Sequence, residues 1–260
     1  LSLVRTRVEG SIASLTLARP QARNALSAEL CAEIITGLEA IDRRAEARVV
    51  VIEGEGRAFC SGADFAAVSG PEAVGFLRGF EAMLEGVARF RLPTIAKIHG
   101  AALGGGLQLA TVCDFRIATI DAILGIPSAR LGIVVNFENV QRLVLLAGTA
   151  IAKEVLLTAR TFSGEQAERV GLVNSAHPAG EFDAAVDELA QSVASLAPLA
   201  VQGAKRAIGV VGDRLAASRS GSSGAPEDID RLVQEAYGSA DLAEGLAAMS
   251  EKRPPRFRGN

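Results

Sequence analysis

Apolar positions along the chain repeat with two different periods, and the periods alternate. Val4 to Glu9 and Ile12 to Leu17 read as two strands, with Glu9-Gly10-Ser11 as the hairpin turn between them. After Ser27, a typical helix N-cap, the series Leu30, Ile34, Ile35, Leu38 and Ile41 has helical spacing. Val49-Val50-Val51-Ile52 is an unbroken β-branched run, which suits a strand buried on both faces. A helix is expected over Phe76 to Phe90, with Leu77, Phe80, Leu84 and Val87 on one side. Pro93 precedes a strand over Thr94 to Ile98; a helix over Gly106 to Cys113 and a strand over Asp114 to Ala118 follow. This alternation predicts an α/β core wound in right-handed βαβ units.

Beyond about residue 137 the pattern becomes helical and rich in alanine. Helices are expected over Val140 to Leu146, Ala150 to Leu157, Gly164 to Val170, Phe182 to Leu196 and Ala200 to Val210. One short strand is expected at Leu172-Val173-Asn174. The small-residue stretch SRSGSSGAP, Ser218 to Pro226, reads as a loop. The expected organisation is an α/β core over 1–195, then a helical region over 196–260 that packs on the core or on a neighbouring subunit.

Composition narrows the function. The 260 residues are 49% hydrophobic and 22% charged, with a formal net charge of −3. Nucleic-acid and acidic-membrane partners require an excess of Lys and Arg, which is missing here. No apolar run approaches the roughly 18–20 residues that span a bilayer. The opening LSLVRTRVEG lacks the order of a signal peptide, and three cysteines (Cys31, Cys60, Cys113) in apolar runs fit reduced thiols. A cytoplasmic protein without a metal site is the expectation.

The candidate chemistry lies in two glycine-rich turns, each directly after a strand. Val49–Ile52 leads into FCSGAD, and Thr94–Ile98 leads into HGAALGGG. In an open α/β sheet both would lie at the carboxyl ends of strands, where ligands bind. Glycine allows a ligand oxygen to approach backbone N–H groups that have no partner in the helix. Two such turns facing each other could bracket one developing negative oxygen. GGG is neither GxGxxG nor GxxxxGK[ST], so dinucleotide and P-loop sites are disfavoured.

Together GRAFCSGAD and LPTIAKIHGAALGGGLQLATVCDFRIA resemble the crotonase superfamily of enoyl-CoA hydratases and isomerases. RPQARNALS, LGIPSARLGI, QRLVLLAG, TFSGEQAERVGLVN and the closing EKRPPRF extend the resemblance in order along nearly the whole chain. It implies a crotonase-like fold: a ββα-superhelix core of the ClpP/crotonase kind with a C-terminal helical trimerisation region. It also implies a homotrimer or dimer of trimers, a coenzyme A thioester as substrate and no permanently bound cofactor. By the same resemblance the N–H groups of Ala63 and Gly105 form an oxyanion hole. Arg23, Ala25 and the segment Ser61, Gly62, Ala63, Asp64 and Phe65 form the coenzyme A contact region.

Departures from the family pattern qualify the reaction. Hydratases of the family use two glutamates to hold and activate water; Gln108 and Ser128 stand in their places. An amide hydrogen-bonds but does not shuttle a proton near neutral pH. A third position used by some relatives falls on Asn136, leaving Glu138 as the nearest candidate base. A helix N-terminal acid favoured by the dipole is the preferred reading of Glu138. Asp64 also fits a turn or cap, and His99 a structural contact. The expected function is an acyl-CoA enzyme that stabilises a thioester enolate, with atypical or weak hydratase activity. The alternative is a catalytically impaired acyl-CoA-binding or scaffolding homologue.

Overall fold

A computed structural model describes residues 2–64, 73–220 and 227–259. The chain forms two compact units, one of Leu1–Leu124 with Phe162–Gly209, the other of Gly125–Thr161 with Val210–Asn260. Residues 196–209, expected to open the helical region, thus belong to the first unit.

The first unit is built on a six-stranded sheet. Its strands are β1 (Val4–Glu9), β2 (Ile12–Leu17), β3 (Val49–Gly54), β4 (Thr94–Ile98), β6 (Phe115–Thr119) and β9 (Ser175–His177), in that spatial order. The β1–β2 hairpin is antiparallel and every other pair is parallel. Helices α1 (Ala28–Asp42), α2 (Ala73–Ala88) and α3 (Gly105–Thr111) lie between successive parallel strands along the chain. Ser27 caps α1 by accepting from the Leu30 N–H. A smaller sheet joins β5 (Ala101–Leu103), β7 (Ile123–Gly125) and β8 (Thr161–Ser163).

The Val49–Ile52 run is buried throughout, as its composition predicts. Alternate residues face opposite sides of a strand. Val49 and Val51 join Ile95 and Ile117 against Phe182, Val186, Ala190 and Ala194 of the helix Ala179–Ser195. Burying each of the large side chains is worth about 1.5–3 kcal/mol. At the amino ends of β4 and β6, the Asp114 carboxylate accepts from the Thr94 N–H and hydroxyl and from the Lys205 ammonium, at 2.7, 3.0 and 2.6 Å.

Some local expectations are corrected. The strand expected at Leu172–Asn174 lies three residues later, at Ser175–His177. Leu172 and Val173 instead form a buried turn whose N–H groups both reach the Ala167 carbonyl. Ser218–Ser220, expected to open a loop, end the helix Pro198–Ser220, and residues 221–226 lie outside the described residues.

The second unit contains the 3-10 turn Pro127–Leu131 and the helices Phe137–Leu157, Glu227–Tyr237 and Ala240–Ser250. The helix Phe137–Leu157 breaks at Gly148, whose φ is 78° and ψ 164°. The break separates the two helical stretches expected from the sequence. The carboxyl-terminal segment is clamped: Glu244 binds the Arg253 guanidinium with both oxygens and accepts from the Arg256 N–H.

Candidate active site

Three segments of the first unit converge beyond the carboxyl ends of β3 and β4. The turns after these strands continue side by side. Phe59 N–H donates to His99 O, Cys60 N–H to Ala101 O, and Leu103 N–H back to Cys60 O. The third segment, Arg19 to Ser27, holds Arg23 and Asn24 at φ 52° and 55°. That conformation aims the fully buried Asn24 amide at the carbonyls of Glu55, Ala58 and Phe59, at 3.0, 2.8 and 3.2 Å. Its Oδ1 accepts from the Arg19 N–H. The Arg19 guanidinium binds the Asp64 carboxylate at 2.7 Å and the Ala25 carbonyl at 2.9 Å. Asn24 and Arg19 thus fix the loop, and sequence reasoning missed both. An Asn beside a sharp reversal was the available signal, because Asn tolerates the left-handed region.

The backbone accounting singles out Ala63 and Gly105. Leu26 N–H donates to Gly62 O and Asp64 N–H to Leu26 O, both at 2.8 Å. This parallel bridge turns the N–H of Ala63 itself away from Leu26. Gly105 opens α3, so its N–H has no acceptor within the helix. Among the described residues neither N–H has an acceptor. The turns that carry them touch: a Cβ built on Gly62 would lie 3.6 Å from the Gly105 nitrogen.

The glycines of the second turn serve distinct ends. Gly104, with φ 53° and ψ −121°, takes a conformation that L side chains avoid. At Gly106 a Cβ would sit 2.2 Å from the Cys60 carbonyl oxygen, so α3 seats directly on the first turn. The far end of α3 is held by Arg116, which is 5% exposed. Its guanidinium donates to Cys113 O at 2.7 Å, Leu172 O at 3.1 Å, Ala110 O at 3.5 Å and Asn174 Oδ1 at 3.3 Å. Burial pulls its pKa below the usual arginine value.

Gln108 is the polar residue of α3 left over. It is 8% exposed, and its amide makes no hydrogen bond among the described residues. Its backbone is fully used, with N–H to Gly104 O and the carbonyl accepting from Thr111.

The remaining candidates are placed as follows. Arg23 is exposed, with a guanidinium unpaired among the described residues. Ser61 is half-buried and its hydroxyl points to Ala22 O at 3.4 Å. Phe65 lies outside the described residues. Ser128, Asn136 and Glu138 are in the second unit. Ser128 sits in the 3-10 turn and its carbonyl accepts from Ile133. Asn136 caps its helix by accepting from the Asn139 N–H at 3.3 Å. Glu138 is an exposed carboxylate in that helix's first turn. The ring Nε2 of His99 hydrogen-bonds the Gly56 carbonyl. Burial pushes the thiols of Cys31, Cys60 and Cys113 up to about 12, which makes them poor nucleophiles.

A family model for enoyl-CoA hydratase/isomerase matches residues 7–260. The chain belongs to the enoyl-CoA hydratase/isomerase family. A probable enoyl-CoA hydratase of Bacillus subtilis (strain 168) is 36% identical over 100% of both chains. A peroxisomal Δ(3,5)-Δ(2,4)-dienoyl-CoA isomerase of Arabidopsis thaliana is 32% identical over 99% of this chain and 96% of its own. The solved structure of methylmalonyl-CoA decarboxylase complexed with 2S-carboxypropyl CoA superimposes with a TM-score of 0.89. It does so over 99% of this chain and 98% of that one, at 23% identity. The fold is therefore that of the crotonases. As a member of this family the chain is an enzyme acting on acyl-CoA.

Proposed function

We propose that Ala63 and Gly105 hold the thioester carbonyl of an acyl-CoA and stabilise the enolate formed when its α carbon loses a proton or a carboxyl group, or when a nucleophile adds at the β carbon of an enoyl ester. The observation that carries this reading is the pair of unpartnered N–H groups on two touching turns. Each donor aimed at a developing oxyanion is worth about 2.7–4 kcal/mol in the transition state. Arg23 and Ser61–Asp64, together with Ala25, are the coenzyme A contact region of this reading.

Hydration is the weak branch of this chemistry. General acid–base catalysis supplies about 10²–10⁴-fold, and Gln108 and Ser128 supply no carboxylate. Asn136 is engaged as a helix cap and Glu138 faces solvent, so neither replaces the missing pair in this reading. Crotonyl-CoA, a 3-enoyl-CoA and a malonyl-type CoA ester, assayed side by side, test it. The expected result is slow crotonyl-CoA hydration that rises in the double variant Gln108→Glu with Ser128→Glu. Fast hydration by the unaltered protein that survives Glu138→Ala would overturn it. Acyl-CoA binding without turnover on any ester would favour a binding or scaffolding role, which the engaged Asn136 and uncharged Gln108 also fit.

Assembly into homotrimers, or dimers of trimers, belongs to the same reading. Ile208, Val211 and Leu215, which share one face of the helix Pro198–Ser220, are more than half exposed. Such an apolar stripe is the kind of surface that a second copy covers. Light scattering at the monomer mass would contradict it.

A further inference from the structure

We infer that Arg19 is a positioning residue that acts on a bound thioester carbonyl through two peptide groups and strengthens the Ala63 donor. The inference rests on the enolate-binding role given to Ala63 and Gly105, and it assigns a residue that itself touches no substrate.

A peptide group is planar and trans, so its C=O and its N–H point in opposite directions. Whatever binds the carbonyl side therefore aims the N–H side. The Ala63 N–H shares its peptide with the Gly62 carbonyl, which accepts from the Leu26 N–H at 2.8 Å. The Leu26 N–H shares its own peptide with the Ala25 carbonyl, which accepts from the Arg19 guanidinium at 2.9 Å. The guanidinium, the Ala25–Leu26 peptide and the Gly62–Ala63 peptide thus form one chain. It ends at the Ala63 N–H, which has no acceptor among the described residues.

Hydrogen bonds in such a chain polarise one another, by about 10–30% per bond. A cation at the head draws electron density along both peptides and leaves the Ala63 proton more positive. The Gly105 donor is supported differently, since the Gly104 carbonyl of its peptide accepts from the Gln108 N–H within α3. Ala63 lies in a turn and has Arg19 in place of a helix. The same Arg19 nitrogen meets the Asp64 carboxylate at 2.7 Å, with the two side chains 23% and 25% exposed. That carboxylate holds the guanidinium and offsets part of its charge. Removing Arg19 therefore weakens the chain, whereas removing the Asp64 charge leaves the cation at its head less neutralised.

The infrared stretch of butyryl-CoA, isotope-labelled at its thioester carbonyl and read at saturation, tests this. The unaltered protein is expected to lower the stretch relative to the free ester. Arg19→Met should lose about 10–30% of that displacement. Arg19→Lys, which keeps the charge, should retain more of it than Arg19→Met. Asp64→Asn should increase the displacement, and the increase should vanish when it is combined with Arg19→Met. A simple tether predicts the reverse for Asp64→Asn, because either substitution breaks the ion pair. Undiminished displacement in Arg19→Met, no increase in Asp64→Asn, or an increase that survives the combination would overturn the role of Arg19 alone. Asp64→Asn decides the matter if Arg19→Met does not fold. An unaltered protein that fails to bind the ester, or binds it without shifting the stretch, would overturn the enolate reading and this one with it.

Discussion

The two ends of helix α3, about 10 Å apart, use hydrogen bonds in opposite ways. At the C-terminal end, the buried Arg116 takes the carbonyls of Ala110 and Cys113, then reaches Leu172 and Asn174. Toward the N-terminal end the Gly105 N–H and, at mid-helix, the Gln108 amide have no partner among the described residues, and the neighbouring turn adds the Ala63 N–H in the same state. Half-buried donors of this kind are left to water or to a ligand, whereas the carbonyls that Arg116 takes are satisfied within the protein. The saturated end therefore reads as scaffold and the open end as a place kept for a ligand. Rules of local satisfaction tend to be broken where function is.

The scaffold half of this contrast breaks most visibly at Gly106. Its absent Cβ would meet the Cys60 carbonyl oxygen at 2.2 Å, a backbone atom that cannot swing aside. Gly106→Ala is expected to destabilise the protein by about 4 kcal/mol or more, with loss of the folded state in urea titration. Arg116→Met ranks next. It strands the carbonyls of Cys113 and Leu172 in the interior, for an expected loss of about 2–3 kcal/mol by the same titration. A normal midpoint for Arg116→Met would mean that water reaches the C-terminal end of α3 and that the two ends are less different than drawn.

Gly105→Ala probes the open half. A Cβ there would meet only side-chain ends, Leu26 Cδ1 and Phe80 Cε2, both at 3.2 Å. Those can give by a few tenths of an ångström, so stability should stay within about 1 kcal/mol. Any backbone adjustment that shares the strain moves one of the two donors, so the carbonyl stretch of a bound thioester should lose part of its displacement. A stable variant with undiminished displacement would remove Gly105 from the site.

What the sequence made legible follows the same division. Long runs carry a period, and β1, β2 and β4 match their expected bounds because five or six residues suffice to show one. The strands Ala101–Leu103, Ile123–Gly125 and Thr161–Ser163 are too short for that and exist through their partners. Leu172-Val173 misled because an apolar pair looks the same in a buried turn as in a strand. The glycine turns were visible as glycines, and family resemblance pointed to Ala63 and Gly105. The role of Asn24 was hidden, since it depends on carbonyls 31 to 35 residues away. Gln108 stood out as a lone polar residue, but its lack of a partner is a property of the folded chain only.

The smallest expected effect has the opposite sign and sharpens the comparison furthest. Gln108→Leu removes an amide that makes no hydrogen bond among the described residues. Leucine fills most of the volume and restores the apolar run Leu107 to Ala110, whose members are fully buried. The variant should gain about 1 kcal/mol, seen as a rise of about 2–4 °C in Tm for a chain of this size. Arg116→Met would lose stability on replacing an equally buried polar residue, so the two substitutions should move Tm in opposite directions. A fall in Tm for Gln108→Leu would place Gln108 with Arg116 among the scaffold. A gain in stability would show that the Gln108 amide contributes nothing to folding, in contrast to the Arg116 guanidinium at the other end of the same helix.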